Sequence, residues 1–424
     1  MPFFGNDMII RRDHYLNQLI DGRHNGLIKI ITGLRRCGKS YLLFKLFYDY
    51  LRENGVTDDH IIKVDLEDRR NISLRDPDAL LHHIDSRMTD SGMYYILLDE
   101  VQHVADFEDV LNSYLKIDNA DVYVTGSNSR FLSSDIATEF RGRGDQIHIY
   151  PLSFAEFMSV DTRHPIDAWP DYYTFGGLPH VVALETDQKK AEYLRELYNT
   201  VYLRDIVDRY DLRNDTNLRE LVQIIASAIG SPVNPNRLAN TFKSVKNATI
   251  SNKTIESYLD HLCESFLTER AIRFDIKGKK YINTLSKYYF SDMGIRNAIL
   301  GFRQQEENHI MENIIYNELR IRGFNVDVGV VDRRTSDGDG RIVRQPYEVD
   351  FVANKGPQRV YIQSAFAMPT DAKERQESAS LNNIGDSFKK IIIVKDVIKP
   401  KVDENGIVTI GLFDFLLNPD WLRL

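Results

Sequence analysis

Residues Gly33-Leu34-Arg35-Arg36-Cys37-Gly38-Lys39-Ser40 lie between an apolar run, Leu27 to Thr32, and a helical pattern, Lys39 to Leu51. A strand that turns through two glycines straight into a helix leaves few folds open. The spacing G-x-x-x-x-G-K-S is that of a phosphate-binding loop. Its glycines allow positive φ and close backbone approach, so successive N–H groups can face one concavity. The helix start adds its positive dipole end. Lys39 offers a point charge to the β- and γ-phosphates, and Ser40 offers a hydroxyl to Mg²⁺. Gly33, Leu34, Arg35, Arg36, Cys37, Gly38, Lys39, Ser40 and Tyr41 are the expected nucleotide-binding residues. The expected cofactors are ATP and Mg²⁺.

Further short apolar runs follow: Ile61 to Leu66, Tyr94 to Leu98, Val122 to Thr125 and Gln146 to Tyr150. Continuous apolar strands of this length suit a parallel sheet covered on both faces. After a lead-in over 1–26, the reading is an α/β, doubly wound domain over 27–160. The strand Tyr94 to Leu98 ends in Asp99-Glu100. Asp99 is expected to hold the Mg²⁺ shell, and Glu100 to orient and polarise the attacking water. The bland alternative is a charge pair at a strand end. Strand C-termini of a parallel sheet converge on one crevice, so Ser127 and Asn128 in VTGSNS read either as γ-phosphate contacts or as turn residues. Arg141 and Arg143 read either as a solvated basic turn or as arginines acting on a neighbouring subunit's site. The catalytic set is thus Lys39, Glu100, Asn128 and Arg143, with Ser40 and Asp99 as metal ligands.

ITGLRRCGKS, YYILLDEVQ, VTGSNSRFL and RGRGDQIHIYPLSFAEF, with GGLPHVV at 176–182 and YLRDIVDRY at 202–210, carry a resemblance over nearly the whole chain. They resemble the AAA-superfamily ATPases of bacteria and archaea that have a fused C-terminal domain of unknown function. The resemblance implies an AAA-type sheet with the P-loop strand central, ATP binding and hydrolysis.

The remainder reads as two more modules. Residues 161–300 are helical. Asn236 to Phe242, Ser251 to Phe266 and Arg273 to Phe290 give helix, helix and β-hairpin, in the order of a winged helix-turn-helix. Lys277, Lys279 and Lys280 form a cationic hairpin tip that could reach DNA phosphates. Glu256, Asp260 and Glu264 on the second helix oppose a DNA-facing role, and a protein-packing module is the other reading. Residues 301–424 resemble the PD-(D/E)xK nuclease core, a restriction-endonuclease-like α/β domain. Glu312 stands on its helix and Asp350 on its strand, but Gln363 replaces the second acid and Ala365 the lysine. A neutral amide is a poor Mg²⁺ ligand, and alanine cannot polarise water. A nuclease-like fold without nuclease activity is expected. Lys373 is a weak substitute, because it would restore one of two lost groups.

The chain of 424 residues carries a net charge of −8, which disfavours a general polyanion coat but allows a local basic patch. Its two cysteines, Cys37 and Cys263, cannot form a secreted disulfide framework. No apolar run approaches the roughly 20 residues needed to cross a bilayer. A cytoplasmic location without membrane contact is expected. The leading reading is a Mg-dependent ATPase that couples nucleotide state to C-terminal modules. Its expected partners are ATP and ADP, then DNA and further copies of the chain. An ATP-regulated DNA-binding protein or nuclease is the alternative, and a non-hydrolysing nucleotide switch is a third.

Overall fold

The computed structural model describes residues 9–126, 142–212, 216–246, 250–336 and 342–422. The chain divides into two compact units. The first comprises residues up to Pro151 together with Leu178–Ala183 and Glu264–Phe266.

In the first unit five parallel strands are ordered β2-β3-β4-β1-β5. They are β1 (Ile28–Gly33), β2 (Ile61–Asp65), β3 (Tyr94–Asp99), β4 (Ala120–Thr125) and β5 (Gly144–Ile149). The P-loop strand β1 therefore lies inside the sheet, between β4 and β5. All six residues of β1 and of β3 are buried, as strands covered on both faces must be. Ile30, Ile62, Ile96 and Val124 share one core with Leu80, Phe107 and Leu111 from the covering helices. Lys29 interrupts the apolar pattern of β1 yet is fully buried. Its ammonium pairs with Asp121 and donates to the Leu27 carbonyl (2.8 Å). A buried charge persists when it is paired and hydrogen-bonded in this way.

The helix after the P-loop is longer than expected and irregular. It is α-helical at Lys39–Tyr41, π-helical at Leu42–Phe47 and α-helical again at Tyr48–Glu53. The helix Pro77–Asp85 starts where Asp76 accepts from the Ala79 amide (2.9 Å), with proline at its first position, a combination that satisfies helix-start donors.

The second unit opens with helices Phe154–Met158, Pro165–Phe175 and Asp187–Leu197. Helices Thr216–Ser227, Pro235–Lys246 and Asn252–Glu264 follow, and then the antiparallel hairpin β6 (Thr268–Asp275) and β7 (Lys280–Phe290). Val233, between two of these helices, bridges Ser286 of β7. The hairpin is not free-standing. β6 pairs in parallel with β8 (Asn325–Ser336) through Arg273–Asp275. This joins the hairpin to β9 (Ile342–Lys355), β10 (Gln358–Ala365), β11 (Lys389–Val394), β12 (Lys401–Val402) and β13 (Ile407–Gly411). The result is one eight-stranded sheet, ordered β12-β13-β11-β10-β9-β8-β6-β7. The stretches read from sequence as separate modules at 161–300 and 301–424 thus share a sheet. The helix Glu307–Ile321 carries Glu312, and the helix Asp371–Asn382 follows β10. No helix among the described residues is long and apolar enough to cross a membrane.

Candidate functional site

Parallel register places the ends of β1, β3 and β4 side by side, with Ile31 opposite Thr125 and Leu98 opposite Val124. The loop that leaves β1 has Gly33 at φ +144° and Gly38 at φ +104°. A Cβ on Gly33 would stand 2.1 Å from the Ile149 carbonyl oxygen, so only glycine fits there. Gly38 meets no such crowding; its backbone conformation is what excludes side chains.

Lys39 is buried, and its Nζ donates to the carbonyls of Gly33 (3.1 Å) and Leu34 (3.2 Å). The amine is thus folded over the loop it serves. Cys37 is buried, its thiol donates weakly to the Ile149 carbonyl (3.6 Å), and burial raises its pKa. That environment makes it a filler and not a nucleophile. Arg35 reaches Glu67 (3.4 Å), and Arg36 is exposed. Burial raises the pKa of Tyr41, in the first turn of the helix.

Asp99 and Glu100 are buried at the end of β3. The Thr125 hydroxyl joins them: it donates to Asp99 Oδ1 (2.5 Å) and accepts from the Glu100 amide (2.9 Å). Burial first, then the neighbouring Glu100 charge, pushes the Asp99 carboxyl up to about 6, against the hydrogen bonds of Thr125 and Ser40. Ser40 and Asp99, named separately from sequence, are therefore within interaction distance. Glu100 sits at φ +53°, and Gln102 donates its side-chain amide to Glu100 Oε2. The other end of that amide, Gln102 Oε1, is buried with no hydrogen-bond partner among the described residues.

Two elements that sequence reading did not assign to the site touch the loop. Arg12, buried just before the helix Asp13–Asp21, donates to the carbonyls of Cys37 (3.0 Å) and Tyr150 (2.6 Å). Nothing in its sequence neighbourhood signals this. A Cβ on Gly38 would lie 3.7 Å from Pro179 Cγ, which brings the short segment Leu178–Ala183 of the same unit to the P-loop. Burial, then the charge of Arg36, lowers the pKa of the adjacent His180. Thr125 was visible within VTGSNS but was passed over for its neighbours.

Other sequence candidates fall elsewhere. Arg143 is exposed at the start of β5, and its carbonyl accepts from the Ile28 amide (3.0 Å). With Ile28 opposite Gly144, it stands at the far end of β1, about 20 Å from its own P-loop at the rise of a strand. Ser127, Asn128 and Arg141 lie outside the described residues.

The second unit holds its own charged cluster. Glu312 Oε1 accepts from Lys287 Nζ (2.9 Å) and from the Tyr289 hydroxyl (2.7 Å). Lys287 also pairs with Glu348 (2.7 Å). Asp350 accepts from the Ser364 amide (2.8 Å). Gln363 accepts from Ser380 (3.2 Å) on the following helix, Ala365 is buried, and Lys373 pairs with Glu377 along its own helix. Sequence reading missed Lys287. Its signal was a lysine inside the otherwise strand-forming run LSKYYF.

Residues 25–158 match an AAA domain, and residues 166–306 match a domain of unknown function. An uncharacterized protein of Haemophilus influenzae is 34% identical over 415 residues, covering 96% of this chain and 99% of its own length. An uncharacterized protein of Methanocaldococcus jannaschii is 29% identical, over 83% of this chain and 77% of its own. Among solved structures, a Walker-type ATPase of Pyrococcus abyssi aligns with TM-score 0.50 at 14% identity, over 71% of this chain and 98% of its own. At that identity the likeness is one of fold.

Proposed function

The chain belongs to one family with the Haemophilus influenzae protein and carries an AAA domain, and from that premise we propose that it binds Mg-ATP at the P-loop and hydrolyses it. The observation that carries this reading is the convergence of Lys39, Ser40, Asp99 and Glu100 at one end of one sheet, with Thr125 tying the two acids.

The donor set fits Mg²⁺. Among the described residues no three acidic, imidazole or thiol groups gather to hold a metal alone. Mg²⁺ in phosphate sites is held by one or two protein oxygens plus phosphate and water. Ser40 and Asp99 supply those oxygens. The ion, when bound, would neutralise charge on the phosphate oxygens. Lys39 leaves the Gly33 and Leu34 carbonyls for the β- and γ-phosphates. The loop amides and the helix start receive the remaining negative charge. Glu100 takes a proton from the attacking water as the water oxygen bonds to the γ-phosphorus. The β–γ bridging oxygen leaves with ADP, and inorganic phosphate is released. Asn128 contacting the γ-phosphate and Arg143 acting on a neighbouring copy's site extend the same proposal.

Lys39→Ala is expected to abolish ATP binding in calorimetry, because it removes the point charge that the β- and γ-phosphates need. ATP bound by Lys39→Ala as tightly as by the unsubstituted chain would sink the assignment.

The arrangement of three helices and a hairpin, with Val233 bridged to Ser286, supports a winged-helix reading of residues 216–290. The exposed tip with Lys277, Lys279 and Lys280 supports contact with DNA phosphates. Coupling of nucleotide state to this module is part of the proposal. Plasmid incubated with the protein, ATP and Mg²⁺ or Mn²⁺ is expected to remain supercoiled. Nicking that disappears in Asp350→Asn would favour a nuclease instead.

A further inference from the structure

The nuclease-like reading of β9 and β10 calls for a divalent cation among Glu312, Asp350 and a third acid. The residues present do not fit one. Lys287 is 2% exposed, and its ammonium already bridges Glu312 (2.9 Å) and Glu348 (2.7 Å). Asp350 is turned to the Ser364 backbone amide. The Tyr289 hydroxyl donates to the same Glu312 oxygen that Lys287 uses. The turn at Gly230 closes over Glu312 from another side. A Cβ there would stand 2.9 Å from Glu312 Oε2 and 2.8 Å from His309 Nδ1. No group of three metal-ligating side chains stands free at this place or elsewhere among the described residues.

We infer that Lys287, delivered by β7, does the charge-neutralising work of a divalent cation, and makes buried Glu312 and Asp350, with half-buried Glu348, an ion cluster that takes neither metal nor phosphodiester. The electrostatics agree with the geometry. Burial lowers the Lys287 pKa, but the carboxylates of Glu312, Asp350 and Glu348 outweigh it and raise it above the ordinary range. Burial, then the Glu312 charge, pushes Asp350 well above the usual carboxylate range, against Lys287 and the Ser364 amide. One ammonium thus faces two glutamates and an aspartate whose pKa burial raises. A doubly charged ion among these groups would have to displace a buried, hydrogen-bonded ammonium.

The lysine also has an architectural consequence. β7 belongs to the hairpin that follows the helical segment, whereas Glu312, Glu348 and Asp350 belong to the helix and strand that come after it. The cluster therefore fastens the hairpin to the C-terminal part of the shared sheet. Removing one partner of a buried charge pair leaves the other unpaired in a medium that solvates it poorly.

The experiment uses the full chain without nucleotide, so that the P-loop has no phosphates to help it hold a metal. Mn²⁺ is titrated in a calorimeter, and melting is followed in EDTA and in Mn²⁺. The unsubstituted protein is expected to melt at the same temperature in both and to show no Mn²⁺ binding that Asp350→Asn removes. Lys287→Met is expected to lower the melting temperature by about 10 °C. Lys287→Met/Glu312→Gln should recover part of that loss, because it removes one of the stranded charges. Mn²⁺ binding abolished by Asp350→Asn overturns the inference, as does Lys287→Met melting like the unsubstituted chain, or a double variant no more stable than the single. Should Lys287→Met fail to fold, a folded double variant supports the inference and an unfolded one counts against it. The Mn²⁺ titration of the unsubstituted protein decides in either case.

Discussion

Glu100→Gln is expected to keep Mg-ATP binding and to lower turnover by about 10²–10⁴-fold, the usual contribution of a positioned general base. Glutamine preserves the size and the hydrogen-bonding reach of the side chain. It cannot take a proton from water. The Glu100 backbone is fixed at φ +53° by the Thr125 hydroxyl on its amide. Its carboxylate accepts from the neutral side-chain amide of Gln102. Binding is read by calorimetry and turnover by phosphate release from the same preparations. Turnover equal to that of the unsubstituted protein would remove Glu100 from the mechanism. Loss of binding as well would make it a structural residue.

Asp99→Asn is expected to do two opposite things. The carboxyl of Asp99 ionises near pH 6 in the folded chain, against an ordinary value of 3.8. Between those two pH values the folded state holds a proton that the unfolded state has released. Stability therefore falls as pH rises through this window, and above about pH 6 the full cost of the buried charge is present. A displacement of this size corresponds to about 3 kcal/mol. Asparagine carries no charge and can still accept from Thr125. The nucleotide-free variant should thus melt several degrees higher at pH 7.5, with the difference vanishing toward pH 4. Turnover should be lost, because the amide is a weaker partner for a hard cation. Affinity of the unsubstituted protein for Mg-ATP should weaken as pH falls through about 6, since the protonated carboxyl must first release its proton. A variant that is no more stable than the parent at pH 7.5 would show that Asp99 is better solvated than its place at the end of β3 implies.

What the sequence made legible were the parts governed by local rules. The apolar runs of β1, β3 and β4 marked buried parallel strands, and the glycine spacing marked the turn whose φ values are positive. Asp99 was visible as an acid ending a second apolar strand downstream of the P-loop. The contacts that sequence reading missed join residues far apart in the chain. Arg12 meets Cys37 and Tyr150, and Lys287 meets Glu312 and Glu348. No periodicity encodes such pairings. The π-helical segment Leu42–Phe47 lies in a pattern that reads as ordinary helix, since its apolar spacing differs little from α. The hairpin β6–β7 was legible as a hairpin. Its parallel pairing with β8 was not, because β6 engages through only three residues.

The guanidinium of Arg12 reaches the P-loop from a segment that sequence reading treated as a mere lead-in. It grips the carbonyl of the Cys37–Gly38 peptide, and a planar peptide fixed at its oxygen is fixed at its N–H as well. The same group holds the Tyr150 carbonyl at the exit of β5. A shortened protein beginning at residue 27 would keep every signature residue of the phosphate cradle. It would lose the outside hand that sets the pitch of one of its amides. Domain excision at the motif's own edge should therefore blunt nucleotide affinity, and the cause would lie in the missing lead-in, with the loop sequence intact.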